Sequence, residues 1–462
     1  MNFPCPTARA ARTALALAAA CALAACASPA IDANVDAAQA DVHARAGLDF
    51  RWLRTDAARD QARSDVDRAL REPLQADDAV RLALTASPAL QALLFERAAA
   101  SADATRSARP ANPVFALERL AGGDGVELTR GLSVALLDLL LLPARARQAD
   151  ARQAQLRVQL AADVLRSADT ARTAWIAAVA AAQSARSAQR AHEAADIGAQ
   201  LASKLEASGA FSALQRARIE ADAGDTLVAL AQARRAERVA REALVRALGL
   251  ADAQAAALRL PDHLPDLPAA PAIADVALDD RLDLRLARAR LDELARAQGL
   301  ARVTDVADGL SLGAEKRTQS AAPTDHGLTL AVPLPVFDAG DAARAGAQAR
   351  YQAALARGAA QAAQAASELR AAQADVRETH ALALALRDRL VPLQARIVGE
   401  NLLRYNGMLA SVFDLLADAH AQARTVQQAQ AAQRDYWLAD AALLAARLGL
   451  PPSLAIEPEA QP

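Results

Sequence analysis

The feature that most constrains this chain is a long-range duplication of alanine-rich helical segments. The triplet Leu248-Gly249-Leu250 recurs as Leu448-Gly449-Leu450 about 200 residues later. Each triplet closes a polar, amphipathic stretch with a glycine break upstream, at Gly209 in the first copy and Gly407 in the second. A period this long indicates two duplicated halves rather than a solenoid of short repeats. Each half is therefore predicted to contain one long helical hairpin.

The composition favours long helices over a thick globular core. Hydrophobic residues make up 53% of the chain, but aromatic residues make up only 3%, and alanine, the best helix former, supplies much of the apolar content. Such helices pack through small side chains. The formal net charge of −2 gives none of the basic field that nucleic-acid binding requires.

The first 25 residues have the order of a secretory signal peptide. Arg9 and Arg12 precede an apolar run over residues 14–25, which is too short to span a membrane as a helix. The end of the run, Leu23-Ala24-Ala25-Cys26, resembles the bacterial lipobox, in which the cysteine is acylated and becomes the new N-terminus. The simpler alternative is an ordinary signal peptide that happens to contain a cysteine.

Cysteine usage agrees with acylation at Cys26. Cys5 and Cys21 fall in the segment that would be removed, so the mature chain has no internal disulfide despite being exported. Ala27 follows the cysteine, where an aspartate favours inner-membrane retention in the lipoproteins that this motif resembles, and an outer-membrane address is therefore expected. Residues 26–73 are interpreted as a lipidated N-terminal tether.

The two repeats are predicted to be residues 74–250 and 276–450. A proline-rich linker over residues 251–275 joins them, and a short disordered tail over residues 451–462 follows the second. Each repeat has a first helix, two segments of period two, and a long hairpin. The period-two segments are residues 113–120, 126–134, 309–315 and 327–332, with a polar loop predicted over residues 316–326. Leu139 to Leu142 and Pro143 are expected to end the first sheet region, with helix from residue 144 to about residue 207 and again from Phe211 to Leu248. The second repeat is predicted to have helix over residues 276–301 and a hairpin from about residue 338 to residue 448.

The strands predict an oligomer. Each has one apolar face, but four strands cannot close a barrel, and open strand edges are not tolerated in lipid. The simplest solution is three copies that pool twelve strands. The expected fold class is therefore mainly α with a small β part, in which long antiparallel helical hairpins accompany four strands per chain in a shared, trimeric, twelve-strand transmembrane barrel.

The order of motifs over roughly residues 74–450 resembles the TolC-like outer membrane efflux proteins. The matching segments are Asp77-Asp78-Ala79-Val80-Arg81-Leu82-Ala83-Leu84 with Ser87-Pro88, Asn112-Pro113, Leu136-Leu137-Asp138-Leu139 through Pro143, Arg281-Leu282-Asp283-Leu284, and Val332-Pro333-Leu334-Pro335-Val336-Phe337-Asp338-Ala339-Gly340. Leucine replaces the family's proline in the fourth segment. The resemblance implies a trimer with an outer-membrane barrel on a periplasmic helical tunnel. It also implies two partners, a periplasmic adaptor and an inner-membrane pump.

The tip of the second hairpin carries the candidate site. Tyr405 and Asp414 keep the family's spacing of tyrosine and first aspartate, while the second aspartate position holds Ala417 and the aperture arginine position holds Ala410. Asp418 lies one helical turn after Asp414, so the two carboxylates share a face. The resemblance implies a ring of carboxylates at the periplasmic aperture, with a closed-state latch that is weaker or built from other groups. The alternative is a solvated acidic helix face.

No catalytic or cofactor motif is found in the sequence. The histidines are scattered without ligand spacing, and no phosphate loop, nucleophile elbow or Cys-His pair occurs. The predicted function is a passive exit duct of a tripartite export system, without enzymatic activity or a cofactor. The rival hypothesis is a lipid-anchored periplasmic coiled-coil rod that braces the envelope; the period-two segments discriminate, because a rod has no use for them. The sequence does not specify the cargo.

Overall fold

The computed structural model describes residues 30–122, 125–273, 278–307, 310–319, 323–332 and 340–451. The helices are α1 (Ala30–Ala46), α2 (Asp56–Ala69), α3 (Ala76–Ala86), α4 (Pro88–Ser107), α5 (Leu136–Ala207), α6 (Ala213–Leu248), α7 (Asp252–Ala257), α8 (Leu282–Ala307), α9 (Asp341–Ala385), α10 (Val391–Asn406) and α11 (Val412–Leu448). The strands are β1 (Val114–Gly122), β2 (Gly125–Ala135), β3 (Ser311–Gln319) and β4 (Asp325–Ala331). The predicted signal peptide, Cys26 and residues 452–462 lie outside the described residues, as do residues 333–339 of the motif that ends at Gly340.

One compact unit, formed by Met1–Ala40, Glu96–Arg157 and Ala289–Gln352, contains the sheet. Its four antiparallel strands lie in the order β1-β2-β3-β4, which confirms the predicted strands and the mainly α fold with a small β part. The register places Leu128 and Leu330 on one face and Thr129 and Thr329 on the other, because side chains alternate across a strand. One face is thus rich in leucine and the other is polar.

The polar loop expected over residues 316–326 is strand at both of its ends. β3 continues to Gln319 and β4 begins at Asp325. On the polar face, Glu127 of β2 forms an ion pair with Arg317 at 2.9 Å and accepts a hydrogen bond from Gln319 at 3.1 Å. Charged side chains therefore continue the sheet here, because the cross-strand neighbour supplies their partners.

The first strand-to-helix junction also differs from the prediction. Helix α5 begins at Leu136 and includes Leu139 to Leu142, so Pro143 lies inside it rather than at its start. A proline there removes one helical hydrogen bond. An ion pair between Asp138 and Arg145, at 2.6 Å, spans the proline, and Leu137 is buried, so side-chain contacts hold the helix across the break.

The described part of the segment interpreted as a tether contains two helices, α1 and α2. Asn34 of α1 is buried and donates hydrogen bonds to Ser101 of α4 at 2.9 Å and to Gln153 of α5 at 2.5 Å. Arg157 donates from Nε to the side-chain oxygen Oδ1 of Asn34 at 2.6 Å. Buried polar side chains need such partners. This network fixes α1, and its partners are too distant in sequence for a local pattern to reveal.

The second unit comprises Asp41–Phe95, Val158–Arg288 and Ala353–Pro462. A hydrophobic cluster of this unit includes Trp175, which is 1% exposed and donates its indole N–H to the Leu74 carbonyl oxygen at 2.7 Å. Helix α2, the second helix of the tether region, packs Val66 against this cluster. A further cluster forms around Tyr436 and Val376. No helix among the described residues is both long enough and apolar enough to cross a membrane.

The duplicated Leu-Gly-Leu triplets are equivalent helix ends. Gly249 and Gly449 have φ values of 69° and 74°, and the following leucines donate to Val245 and Ala445 at 3.1 and 2.9 Å. This is a Schellman cap, which needs a left-handed residue and so favours glycine. A larger residue would also clash with its neighbours at both positions. A Cβ at Gly249 would meet the pyrrolidine ring of Pro88, and a Cβ at Gly449 would meet Arg281 and Asp283.

The contacts of Arg281 give a structural reason for the Arg281-Leu282-Asp283-Leu284 motif. Its side chain is 1% exposed, pairs with Asp283 and Glu368 at 2.9 Å each, and donates to the Ala365 carbonyl oxygen at 3.0 Å. Asp283 also accepts from the Leu284 amide at 2.8 Å. The guanidinium is thus paired and hydrogen-bonded, as a buried charge requires.

The proline-rich linker is bound to the second hairpin. After α7, Leu264 and Leu267 are buried. The carbonyl oxygen of Pro265 accepts hydrogen bonds from Gln433 and Trp437 of α11 at 2.8 and 3.0 Å, and that of Pro268 contacts the His380 ring of α9 at 2.8 Å. Backbone carbonyls of this strap therefore connect both arms of the hairpin.

Two predicted helices have different boundaries. α8 begins at Leu282 rather than near residue 276, after a short 3₁₀ turn at Leu278–Asp280. A π-helical turn, Leu386–Leu390, separates α9 from α10. Pro392 follows this turn and has no N–H to donate to the preceding turn, which accounts for the irregularity.

Candidate functional site at the hairpin tips

The tip of the second hairpin is a short turn between α10 and α11. The Leu409 amide donates to the Arg404 carbonyl oxygen at 2.8 Å, and the Met408 amide donates to that of Tyr405 at 2.9 Å. Met408 has a φ of 59°, the left-handed region that costs a non-glycine residue about 1 kcal/mol or more. Gly407, the expected break, has a φ of −84°.

The tip of the first hairpin has the same construction. The Ala210 amide donates to the Leu205 carbonyl oxygen at 2.8 Å and the Gly209 amide to that of Glu206 at 2.8 Å, with Gly209 at a φ of 75°. The hydrogen bonds therefore match Gly209 with Met408. The break predicted at Gly407 is confirmed, because α10 ends at Asn406 with Gly407 as its C-cap, and the left-handed residue of this tip is the next one, Met408.

Asp414 caps the helix that follows the turn. Ser411 is the N-cap of α11, and its hydroxyl accepts from the Asp414 amide at 3.2 Å while the Asp414 carboxylate accepts from the Ser411 hydroxyl and amide at 2.7 and 3.0 Å. This reciprocal arrangement is a capping box. The Ser411 hydroxyl, then the Ser411 amide, and the charge of Arg404 hold the pKa of Asp414 below its ordinary value of 3.8.

Asp418 and Tyr405 lie close to this cap in the chain but differ in environment. Asp418 is half-buried, and its carboxylate accepts a hydrogen bond from the Asn401 side chain at 2.6 Å. Tyr405 is 39% exposed in the last turn of α10. Asp414 is exposed, so the two carboxylates share a helix but not an environment. Ala410 is half-buried and Ala417 exposed.

Contacts between the two tips were missed by sequence reasoning. The rings of Phe211 and Phe413 stack with centroids 5.4 Å apart and an interplanar angle of 21°. The position of Gly198 on α5 faces Leu416 of α11. The signal in the sequence was that two of its seven phenylalanines lie within two residues of the two tip N-caps.

The tip is polar at its caps and apolar at its apex. Met408 and Leu409 are 94% and 73% exposed.

At the first tip Arg216 pairs with Glu206 and Glu220 at 2.8 and 2.7 Å, and hydrogen bonds to these two carboxylates raise its pKa. Among the described residues, no group of three or more histidine, cysteine, aspartate or glutamate side chains is arranged to hold a metal ion.

No protein-family model and no curated protein matches the sequence. Solved structures do match. The outer membrane protein VceC from Vibrio cholerae superposes with a TM-score of 0.63 and 17% identity, covering 85% of this chain and 97% of that one. The CmeC outer membrane channel of Campylobacter jejuni gives a TM-score of 0.68 at 13% identity, with coverage of 87% and 89%.

The open state of the MtrE outer membrane channel of Neisseria gonorrhoeae gives a TM-score of 0.60 at 18% identity, covering 85% of this chain and 89% of that one. The likeness extends over nearly the whole length of each structure. The chain therefore has the fold of the TolC-like outer membrane channels.

Proposed function

We propose that the protein is the outer-membrane exit duct of a tripartite export system, through which cargo passes passively from a pump–adaptor complex to the outside. The sheet is the observation that carries this proposal. Within the part of the chain that the structure describes, β1 and β4 each pair on one side only. Phe115 is 64% and Leu328 84% exposed on the same face.

An open sheet with an exposed apolar face is unstable alone in water. Three copies that join β1 of one to β4 of the next would close twelve strands and remove the edges. The leucine-rich face would then contact lipid, and the polar face would line the lumen. The similar solved structures, which are described as outer membrane channels, support this arrangement.

The finer parts of the proposal concern attachment, partners and the aperture. Cys26 would carry acyl chains after removal of residues 1–25, anchoring residues 26–73 to the outer membrane. The long hairpins would extend into the periplasm and meet a periplasmic adaptor and an inner-membrane pump. Tyr405, Asp414 and Asp418 of three chains would surround the periplasmic aperture. The protein would need neither catalysis nor a cofactor, since the pump supplies energy.

Two measurements test the duct. The unboiled protein should migrate on a denaturing gel as a heat-modifiable trimer, and the purified trimer should give single-channel conductance in a planar bilayer. The rival, a lipid-anchored coiled-coil rod that braces the envelope, predicts a monomer or helical oligomer that does not conduct. Intact mass tests the anchor: a mature N-terminus other than Cys26, or no added lipid mass, contradicts it.

A further inference from the structure

The two faces of the sheet carry opposite charges. Four carboxylates share the polar face with Thr129 and Thr329, whereas the leucine-rich face carries basic side chains and none of these carboxylates. The carboxylates are Glu118, Glu127, Glu315 and Asp325, and the basic side chains are Arg119, Arg130, Lys316 and His326. The one basic residue of the polar face, Arg317, is paired with Glu127 at 2.9 Å.

The basic side chains of the leucine-rich face form a row. Arg130 is directly opposite Lys316, and Lys316 is directly opposite His326, so neighbouring Cβ atoms of the row are about 5 Å apart. All three side chains are exposed. Like charges directly opposite each other destabilise a sheet. Among the described residues, neither Arg130 nor Lys316 forms an ion pair with a carboxylate, so nothing in the described part of the sheet offsets this repulsion.

The row has a defined place along the strands. It crosses β2 at its middle residue and β4 at its second residue, and Arg119, Leu128 and Thr318 lie on the same face between the row and the ends of these strands at Gly122, Gly125 and Gln319. Toward the opposite ends of the strands, the same face presents Phe115, Leu132, Leu328 and Leu330. The face is thus apolar on one side of the row and of mixed polarity on the other, as expected where a protein surface leaves hydrocarbon for the charged headgroups.

We propose that this row, Arg130 with Lys316 and His326, binds the phosphate groups of the phosphorylated glycolipid in the outer leaflet. The inference rests on the proposed function: if the helices are periplasmic, the strand ends at Gly122, Gly125 and Gln319 face outward, and the row borders the apolar part of this face on its outer-leaflet side. Arginine matches two phosphate oxygens with its planar fork, and lysine adds a point charge. Bound phosphate would offset the repulsion within the row.

The test uses the full-length trimer in mild detergent, with purified lipid A as the probe and native mass spectrometry to count lipid adducts. The double variant Arg130→Gln with Lys316→Gln should weaken lipid A binding about tenfold or more, since each basic group near an anionic lipid surface contributes substantially. The matched control is Arg317→Gln, which removes a basic side chain one residue away on the opposite face and should leave binding unchanged.

Several results would overturn the proposal. The first is that the double variant binds lipid A as tightly as the parent does. The second is that Arg317→Gln loses as much lipid A binding as the double variant, and the third is that the parent binds phosphatidylglycerol as tightly as lipid A. Conductance in a planar bilayer separates this proposal from the proposed function. If the parent conducts but the row variants bind lipid A as the parent does, the proposed duct stands and the lipid site is refuted. If the parent forms no conducting trimer, both proposals are refuted.

Discussion

At the scale of single residues, the tip of the second hairpin stores conformational strain at Met408. A left-handed methionine is disfavoured by contact between its Cβ and the backbone, and Met408 is 94% exposed, so its side chain has little packing to lose. Met408→Gly should therefore raise the free energy of unfolding by up to about 1 kcal/mol. The measurement is the shift in apparent Tm of the purified protein. Leu409→Gly, at a neighbouring exposed residue outside the positive-φ positions, should give no gain, and a similar gain there would argue against strain at Met408.

The capping carboxylate makes the tip sensitive to acid in one direction. The pKa of Asp414 is lowered in the folded chain, so its stabilising effect is present above the unfolded pKa near 3.8 and is lost as pH falls through the lower folded value. Ser411→Ala removes the hydroxyl that contributes most to the lowered pKa. Pepsin cleavage at the tip should be faster in this variant than in the parent at about pH 4, and the ratio should approach one at the lowest pH. A ratio independent of pH would contradict this role of the cap.

At the scale of elements, the stacked rings of Phe211 and Phe413 join the two hairpin tips. An aromatic pair of this geometry contributes about 0.5–1.5 kcal/mol beyond its buried area. A double-mutant cycle with Phe211→Ala and Phe413→Ala should therefore give a coupling energy of about 1 kcal/mol, read from hydrogen exchange in the first turns of α6 and α11. Additive single effects would mean that the rings are neighbours without being coupled.

The elements also show what a sequence pattern can and cannot predict. Period-two alternation correctly placed Leu128 and Leu330 on one face and Thr129 and Thr329 on the other, because a pleated strand has only two faces. The repeated triplets correctly marked two equivalent helix ends. The position of α1 depends instead on Asn34, whose partners Ser101 and Gln153 are far away in the chain.

At the tip of the second hairpin, too, some features follow from the local sequence and others do not. Ser411 and Asp414 have the spacing of a capping box, a local signal, whereas no sequence pattern marks Met408, rather than the glycine before it, as the left-handed residue. Turn conformation there is decided by hydrogen bonds to Arg404 and Tyr405, which override the preference for glycine. The stacking of Phe211 on Phe413 could not be predicted from a local pattern, because it joins the tips of two different hairpins.

At the scale of the whole molecule, the shared barrel predicts that the two sheet faces respond differently to charge. Leu330→Arg, on the leucine-rich face, should cost about 2–4 kcal/mol if it lies near the bilayer midplane. Thr329→Arg, one residue away on the polar face, should be tolerated. The yield of heat-modifiable trimer in outer-membrane fractions measures both. Equal losses would be incompatible with one lipid-facing and one lumen-facing side.

The assembled aperture would concentrate acidic groups that the single chain keeps apart. In one chain the Ser411 hydroxyl and amide bind Oδ2 of Asp414, and Asn401 binds Oδ2 of Asp418. Three chains would bring up to six carboxylates to one constriction. Crowding of like charges favours protonation and opposes the lowered pKa of Asp414 in the single chain. A divalent cation relieves the same repulsion, since hard cations prefer oxygen ligands.

We therefore expect divalent cations added on the tip side to lower conductance in a planar bilayer. Asp414→Ala combined with Asp418→Ala should abolish this block while leaving trimer and barrel intact. Tyr405→Phe should raise basal conductance modestly, because it removes a hydroxyl beside the aperture, without changing the block. The matched control is Asp435→Asn, an acid on the same helix α11 that is paired with Arg434 and should leave the block unchanged. If the double variant stays as sensitive as the parent, the two aspartates form a solvated helix face and do not line the aperture.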